Sequence, residues 1–449
     1  MRISANRCGE FSGIVILVEL KRSEDCRIFL VPPMNILIIS QHYWPENFGI
    51  NEVVKALEQR GCNITVLSGH PNYPCGRVYA GYDAWKINRQ VHPIGYEIFR
   101  VPIIPRGRGR RRDLVANYLS FVVTASLLAP LLLRRRRYDV VLVYALSPIL
   151  QGIPAVILAR LKHAPLVAWV QDLWPDSLAA TGRVRSKLVL STVKIITRWI
   201  YRQCAMLLVQ SEAFVDEVRP LAGDEVPIVY HPNAGELGLE NTDNANLPDR
   251  FTVLYAGNVG AAQSISTIVG AAEKLLSIDP TIDFLIAGSG SCLAWLENEI
   301  ATLKLSNITL LGRLPVAEMP AVYEKASALL VTLSAHVGLS QTIPSKIQSY
   351  LAVGKPIIGA LDGEGARLIK KAGAGIVVPA EDEQALVGAL LTLKSKSTPY
   401  LRAMGNAGRE YYEAHFAPTA LIDQLVEHLT KAIDGRICNR TNQSKTKSQ

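Results

Sequence analysis

The length, composition and charge of the chain exclude several classes of protein. Of its 449 residues, 49% are hydrophobic and 19% charged, which excludes a disordered protein and leaves room for two or three domains. The net charge of +9 is concentrated in two runs, RGRGRRR from Arg106 to Arg112 and RRRR from Arg134 to Arg137, which indicate an anionic partner.

The chain begins with a segment that does not fit a signal peptide. Its apolar stretch GIVILV is too short for a signal-peptide core and lacks a cleavage site. Met34 opens the strand-like run MNILIIS. We therefore expect residues 1–33 to be an extension or a mis-assigned start.

Residues 34–228 alternate short apolar runs with helical patterns. The runs are NILIIS, NITVLSG, DVVLVYA, PLVAWVQD and AMLLVQS. Short β-rich runs separated by helices are typical of βαβ units, so a parallel sheet is predicted.

A second α/β series occupies residues 229–417. A polar, Asn-rich linker precedes six further strand candidates: FTVLYAGNVG, DFLIAGSGS, ITLLGRLP, ALLVTLS, PIIGAL and AGIVVPA. The predicted fold is thus α/β, with two Rossmann-like doubly wound domains that face a central cleft. A last helix, 418–434, is expected to pack back on the first domain, and the polar tail, 435–449, is expected to be disordered.

The stretch from Leu114 to Leu133 contains 20 residues without a charge, the length of a membrane span. Arginines flank both ends, whereas a span usually shows a one-sided bias. A span would also place two parts of one sheet on opposite sides of the membrane. A spanning helix, a helix lying in the interface and an ordinary buried helix all remain open.

The seven cysteines are scattered, odd in number and never at metal-ligand spacing: Cys8, Cys26, Cys62, Cys75, Cys204, Cys292 and Cys438. This usage favours a reducing compartment and structural roles. Because the chain has no Asp-x-Asp pair, a metal that bridges a diphosphate has no obvious ligands, and no metal is expected.

Two glycine-containing turns follow predicted strands of the second series. Gly257 and Gly260 follow the first strand of this series, and Gly288 and Gly290 follow the next. Glycines there let backbone N–H groups approach a phosphate near a helix amino end, although such turns also use glycine for conformation alone.

The segment QTIPSKIQSYLAVGKP predicts a helix from Ser345 to Val353 that ends at Gly354. Thr342, Ser345 and Lys346 would cluster at its amino end, on the ligand side of the sheet. A lysine opposes the helix dipole there, and a bound anion would resolve that conflict. The alternative is a solvated surface lysine.

Polar residues also follow the first-domain strands. His42, Glu46, Gly49 and Asn51 follow the first strand, His70, Asn72 and Tyr73 follow the second, and Asp172 and Trp174 follow PLVAWV. A carboxylate at a strand's carboxyl end is a candidate general base or sugar-hydroxyl ligand. Asp172 is equally placed to cap a helix.

Several ordered motifs resemble bacterial family 4 glycosyltransferases of the GT-B fold. They are MNILIISQHYWPENFGINEVVKALEQRG, ITVLSGHPNYPCGRVYAGY, VQDLWPDSLAATG, YAGNVGAAQS and QTIPSKIQSYLAVGKPIIGALDGEGARLI. The likeness is greatest to the branch that adds amino- or deoxy-sugars in O-antigen, capsule or colanic-acid-type polysaccharide assembly, which includes L-fucosamine transferases. It implies a nucleotide-sugar donor held mainly by the second domain, an acceptor on the first, and retention at the anomeric carbon.

The resemblance places Gly49, Asn51, Gly288, Gly290, Arg313 and Leu314 in loops around the donor, and Asp172 in a loop that supplies acceptor-side or sugar contacts. Together with the other polar and glycine residues that follow the predicted strands, they give a donor set and an acceptor set. The donor set is Gly49, Asn51, Gly257, Asn258, Gly260, Gln263, Gly288, Gly290, Arg313, Leu314, Gln341, Thr342, Ser345 and Ser349. The acceptor set is His42, Glu46, His70, Asn72, Tyr73 and Trp174, and Lys346 and Asp172 are the candidate catalytic residues.

The chain departs from that pattern at two places. Gln341 and Ser349 stand where typical members carry glutamates, and Ala262 and Gln263 replace the usual basic pair. Lys346 then becomes the leading candidate for stabilising the donor diphosphate.

We therefore expect a metal-independent, retaining transferase that needs no cofactor besides its nucleotide-sugar, which is expected to be UDP-linked. The expected acceptor is a polyprenyl-diphosphate-linked glycan. The expected location is the cytoplasmic face of the membrane, bound to anionic lipid through the two arginine runs, without nucleic acid. The alternatives are a nucleotide-sugar epimerase of the same fold and a non-catalytic membrane- or nucleic-acid-binding protein.

Overall fold

The computed structural model describes residues 34–146, 148–176, 178, 186–235 and 250–446. The expectation for residues 1–33 concerns a segment outside the described residues. The described part consists of two α/β domains, each built on one mainly parallel sheet.

The first sheet has the order β3-β4-β2-β1-β5-β6-β7-β8. All its neighbours pair in parallel except β3 and β4, which are antiparallel. Its strands are β1 (Asn35–Ile39), β2 (Asn63–Ser68), β3 (Asn88–Val91), β4 (Glu97–Arg100), β5 (Val140–Ala145), β6 (Leu166–Val170), β7 (Met206–Val209) and β8 (Ile228–Tyr230).

The helices of this domain are α1 (Ile50–Gln59), α2 (Arg111–Leu132), α3 (Gly152–Leu161), α4 (Lys187–Tyr201) and α5 (Phe214–Ala222). Strands β1, β2, β5, β6 and β7 were predicted from their apolar runs, because residues buried on both faces of a parallel sheet are almost all apolar.

Strands β3 and β4 were missed because their sequences, NRQV and EIFR, contain no apolar run. The Arg100 side chain that ends β4 is fully buried. Its guanidinium donates hydrogen bonds to the carbonyls of Trp44 and Gly69 and to Gln90 Oε1. Burial of an arginine is tolerated here because these acceptors replace water.

The second sheet has the order β11-β10-β9-β12-β13-β14, and all its strands are parallel. Its strands are β9 (Phe251–Ala256), β10 (Ile282–Ala287), β11 (Ile308–Gly312), β12 (Ala328–Thr332), β13 (Ile357–Ala360) and β14 (Gly375–Val378). All six predicted strands of the second series are present.

The helices around the second sheet are α6 (Ile265–Ile278), α7 (Leu293–Leu303), α8 (Met319–Glu324), α9 (Val337–Ser340), α10 (Ser345–Val353), α11 (Glu364–Lys371), α12 (Glu383–Lys394), α13 (Thr398–His415) and α14 (Pro418–Thr446). The prediction of two doubly wound domains is confirmed.

Helix α2 connects β4 to β5 and packs along the first sheet. Its inner row is buried: Leu114, Asn117, Phe121, Ala125 and Ala129. It is the one helix of the described chain that is long and apolar enough to cross a membrane by length and composition. Both of its ends return to the same sheet, and its inner row is occupied by that sheet.

Helix α14 contacts α1, β5 and β6 of the first domain. Arg60 in the first domain bonds Asp423 and the carbonyl of Thr419. The helix continues to Thr446, so the expectation of disorder after residue 434 is wrong as far as that residue. Extending an existing helix costs far less than nucleating one, which explains helical structure in a polar, aperiodic segment.

The carboxyl edges of the two sheets face each other. Burial raises the pKa of Tyr79, in the loop after β2, and the positive charge of Arg313, after β11, lies near enough to oppose that rise. Gln341 Nε2 donates to Glu217 Oε1 across the domains at 2.6 Å, and Arg367 Nη2 donates to Glu212 Oε2 at 2.8 Å. The loops that carry the predicted site residues therefore line the space between the domains.

Candidate active site

The glycine turns after β9 and β10 pack against each other. A Cβ on Gly288, whose φ is +157°, would lie 1.8 Å from the carbonyl oxygen of Gly257. The Gly257 amide donates to the carbonyl of Ala287. Positive φ and close packing therefore favour glycine at Gly288, and Gly257, whose φ is +132°, has a second neighbour besides Gly288.

That second neighbour is Lys346, in the first turn of α10. A Cβ on Gly257 would lie 2.6 Å from Lys346 Cε and 3.1 Å from its Nζ. The ammonium lies 3.6 Å from the centroid of the ring of Tyr255, the penultimate residue of β9. The lysine stem thus runs directly beneath the glycine turn.

The Lys346 Nζ is shut off from solvent and has no hydrogen-bond partner among the described residues. Burial lowers its pKa to about 7. The alternative of a solvated surface lysine is therefore wrong. An unpaired buried ammonium is costly, and the ring face of Tyr255 compensates it only in part. An anion at this helix end would supply the missing partner.

The other residues at the start of α10 are bonded within the protein. Thr342 Oγ1 donates to the carbonyl of Leu339 at 2.9 Å, and Ser349 Oγ donates to the carbonyl of Ser345 at 3.3 Å. Gln341 is engaged with Glu217. Ser345 is exposed at the helix start, next to Lys346.

The remaining predicted donor residues surround the same turn or lie beside it. Asn258 Nδ2 donates to Gln263 Oε1 at 2.8 Å and closes the turn that contains Gly260. Arg313 is exposed after β11, while Leu314 is half-buried and packs on the second-domain core. The structure therefore groups the glycine turns with Lys346, whereas Arg313 lies exposed at the edge of this group of residues.

In the first domain, Glu46 ties two loops together. Its Oε1 accepts hydrogen bonds from the amides of Asn72 and Tyr73, both at 2.6 Å. Its Oε2 lies 3.0 Å from His42 Nδ1, and both side chains are buried. Because Glu46 holds Nδ1, the other imidazole nitrogen of His42 points away from the carboxylate.

That second nitrogen, His42 Nε2, lies 3.3 Å from Arg106 Nη1. The Arg106 guanidinium also covers the rings of Tyr73 and Tyr118, at 5.2 and 5.8 Å. Arg106 is half-buried and turned into the loop cluster, so this member of the arginine run is engaged within the protein.

Asn51, Asn72 and His70 are engaged inside the same loops. The Asn51 amide donates to the carbonyl of Glu46 and accepts from the Trp44 amide. Asn72 donates to the carbonyl of His70 and accepts from the Arg106 amide. His70 Nε2 lies 2.8 Å from the carbonyl of Lys86, and burial lowers the pKa of His70. These side chains shape the loops rather than project from them.

Gly49, Asp172 and Trp174 lie near the ends of β5 and β6. A Cβ on Gly49 would lie 3.5 Å from the Tyr144 hydroxyl. Burial and, second to it, the charge of Asp172 raise the pKa of Tyr144. Trp174 is buried in the first-domain core, and its role as an acceptor contact stays a prediction. Its large apolar ring is better accommodated there than at an open surface.

Tyr255 and the interdomain contact of Gln341 with Glu217 were not predicted from the sequence. Tyr255 had a usable signal, since an aromatic residue two positions before a glycine turn lies close to that turn along the chain. Glu217 had none, because its contact joins residues 124 positions apart in sequence.

Among the described residues, no group of three His, Cys, Asp or Glu side chains is placed to hold a metal ion. Metal independence stays a prediction.

Solved structures of two enzymes share this architecture. Sucrose-phosphate synthase from Thermosynechococcus elongatus matches with a TM-score of 0.70 and 18% identity, over 90% of this chain and 100% of that one. HepE of Anabaena, in complex with UDP and glucose, matches with a TM-score of 0.64 and 13% identity, over 89% of this chain and 100% of that one. The fold is that of the GT-B glycosyltransferases.

Sequence families cover both domains. Residues 48–234 match the family described as Glycosyl transferase 4-like domain, and residues 240–411 match Glycosyl transferases group 1. An Escherichia coli (strain K12) protein described as a colanic acid biosynthesis glycosyl transferase, WcaI, is 25% identical over 341 residues, which are 72% of this chain and 82% of that protein. The chain belongs to the family 4 glycosyltransferases and is an enzyme of that class.

Proposed function

We propose that this glycosyltransferase moves an N-acetylated amino- or deoxy-sugar from a UDP-linked donor to a polyprenyl-diphosphate-linked glycan, with retention at the anomeric carbon. The family and the likeness to a colanic acid enzyme support a role in bacterial surface polysaccharide assembly, of the O-antigen, capsule or lipopolysaccharide type. The UDP seen with HepE supports the choice of nucleotide.

One observation carries the proposal: the unpartnered, buried ammonium of Lys346 beneath the Gly257 turn. A diphosphate at the amino end of α10 would receive backbone N–H groups, the helix dipole and this ammonium together. Charge that develops on the leaving diphosphate is then stabilised by groups already in place, the form of catalysis that usually contributes most.

The retained anomeric configuration follows from attack on the face that the diphosphate leaves. Because Gln341 and Ser349 replace the family's glutamates, no carboxylate at those positions serves as a nucleophile. The acceptor oxygen bonds to the anomeric carbon as the bond from that carbon to the diphosphate oxygen breaks. The hydroxyl proton passes to the departing phosphate oxygen, and Lys346 stabilises the remaining negative charge. Asp172, at the carboxyl end of β6, is placed on the first-domain side for acceptor or sugar contacts.

The enzyme works at the cytoplasmic face of the membrane, where nucleotide-sugars and lipid-linked glycans meet. The arginine runs that begin at Arg106 and Arg134 supply positive charge for anionic lipid. Arg106 itself is engaged with His42 in the loop cluster, so the outward charge comes from the rest of its run.

The proposal is tested by incubating the enzyme with a panel of UDP-, GDP- and dTDP-sugars, with and without a polyprenyl-diphosphate-linked acceptor and with and without EDTA. We expect transfer from a UDP-sugar, unchanged by EDTA, with the donor's anomeric configuration retained in the product by NMR. An inverted product would refute the retaining mechanism. A new nucleotide-sugar formed from the donor alone would identify an epimerase instead.

A further inference from the structure

One face of the first domain carries apolar rows that the fold leaves uncovered. Helices α2, α3 and α4 pack side by side on one side of the sheet, whereas α1 and α14 lie on the other. The outward row of α2 is formed by Val115, Leu119, Val123, Leu127 and Leu131, each 49–66% exposed. Each lies two residues from a member of the buried row, about 200° around the helix, and therefore points directly away from the sheet.

Helix α4 repeats this arrangement. Leu188, Ile195 and Trp199 are 77%, 65% and 38% exposed, and Val193 and Thr197 on the opposite side are buried. The spacing 188–195–199 follows the helical period, so the three side chains form one straight row. The Arg160 guanidinium of α3 covers the Trp199 ring at 6.0 Å and links the two helices.

The charge on this face is almost entirely positive. The sequence contains no carboxylate from Leu114 to Tyr138, from Val140 to Gln171 or from Ser186 to Ser211. Within α2, α3 and α4 the one acidic residue is Asp113, in the first turn of α2. The basic residues of α4 and its end are Lys187, Lys194, Arg198 and Arg202.

We infer that α4 is a second membrane-contacting helix, which lies with α2 in the interfacial plane of a bilayer containing anionic lipid. The inference deepens the membrane partner of the proposed function and rests on it for the identity of the acceptor. Apolar rows on two helices of one layer, with cationic residues at their ends and flanks, fit an interface of acyl chains and anionic headgroups.

Other occupants fit the same face less well. A second copy of the chain would place two predominantly basic faces against each other, which costs free energy through like-charge repulsion. A nucleic acid would satisfy the arginines and lysines but leave the apolar rows exposed to water. A bilayer satisfies both kinds of side chain.

The arrangement also fixes how the enzyme lies on the membrane. Helix α2 begins at the carboxyl edge of the sheet, after β4, and ends at the opposite edge, before β5. A flat contact along its length of about 33 Å keeps that edge beside the headgroups rather than above them. A lipid-linked acceptor then reaches the loops after β1 and β2 from the side, while its lipid stays in the bilayer.

Vesicle flotation tests the inference with full-length protein and vesicles of phosphatidylethanolamine with phosphatidylglycerol. Leu188→Gln combined with Ile195→Gln removes the α4 row, and Ile278→Gln combined with Trp295→Gln removes two similarly exposed side chains of the second domain as a matched control. We expect the α4 pair to lower vesicle partitioning by about tenfold or more and the control pair to leave it unchanged. Wild-type binding by the α4 pair would overturn the inference.

A spectroscopic test does not depend on tolerance to these substitutions. Vesicles with brominated acyl chains quench tryptophans that enter the interface. We expect quenching of the wild type that is largely lost in Trp199→Phe, and equal quenching of the two proteins would overturn the inference. Donor hydrolysis by the variants, assayed without vesicles, reports the active site separately. A protein that binds vesicles through α4 but transfers no sugar would refute the proposed function and leave this inference standing.

Discussion

Replacing Lys346 by methionine removes the ammonium beneath the Gly257 turn and keeps the length of the side chain. In the free enzyme, burial lowers the lysine pKa from 10.5 to about 7. Because the unfolded state holds this proton more strongly, the stability of the free enzyme rises with pH between about 7 and 10.5. The loss of folding free energy caused by burying the Lys346 charge is therefore greatest below pH 7, with an upper limit of about 5 kcal/mol.

Methionine has no proton to lose, so Lys346→Met is expected to raise the melting temperature of the free enzyme at pH 7. A gain of about 2 kcal/mol corresponds to roughly 4 °C or more for a domain of this size. Addition of UDP should raise the melting temperature of the variant less than that of the wild type, because the variant has no ammonium to pair with the diphosphate.

Turnover should change in the opposite direction to stability. Loss of one group that stabilises developing charge lowers kcat by about 10²–10³-fold, while the binding of the whole donor falls less because its other contacts remain. Lys325→Met, at an exposed position, is the matched control. Normal turnover together with an unchanged thermal shift by UDP would refute the assignment of Lys346.

Three further expectations follow from the same site. The dissociation constant for UDP should be constant below about pH 7 and rise by up to tenfold per pH unit above it, because binding then requires Lys346 to take up a proton. Isothermal titration calorimetry at pH 6 to 9 measures this dependence. The same dependence of the dissociation constant on pH in Lys346→Met would contradict the prediction. Gly257→Ala should displace the Lys346 side chain and lower turnover at least tenfold. The new Cβ would lie 2.6 Å from Lys346 Cε, and the φ of +132° at residue 257 is unfavourable for alanine. Gly388→Ala is the control, because no other atom lies within 4 Å of the Cβ that it adds. Glu46→Ala should lower the free energy of unfolding by about 3–5 kcal/mol in urea titrations, because it leaves His42 and two loop amides without their shared acceptor. A loss below about 0.5 kcal/mol would contradict this prediction, since the two loops would then keep their structure without the Glu46 carboxylate.

The sequence predicted the fold wherever burial imposes an apolar pattern. Strands such as β1 and β9 are buried on both faces, so composition alone identifies them. Strand β4 escaped this reasoning because its last residue, Arg100, is buried through hydrogen bonds to carbonyls distant in sequence. Because these hydrogen-bond acceptors come from distant segments of the chain, the residues around Arg100 contain no pattern that predicts its burial.

The candidate site shows the same division. Lys346 could be selected from sequence because a lysine at a helix amino end conflicts with the dipole. The burial of Lys346 against Tyr255 could not be predicted from the sequence, since that contact depends on how two distant segments pack. Trp174 shows a further limit: a position at a strand's carboxyl end does not decide whether a large ring faces the cleft or the core, and this ring lies in the core.

The path of α14 limits how the two domains can move. The chain passes from the first domain to the second between β8 and β9, and it returns at the start of α14, which then packs on α1, β5 and β6. A chain that crosses twice restricts the relative motion of its domains more than a single linker does. The polar, partly exposed bridges from Gln341 to Glu217 and from Arg367 to Glu212 cost little to break. Opening of the cleft is therefore limited mainly by the two chain crossings and only weakly by these bridges.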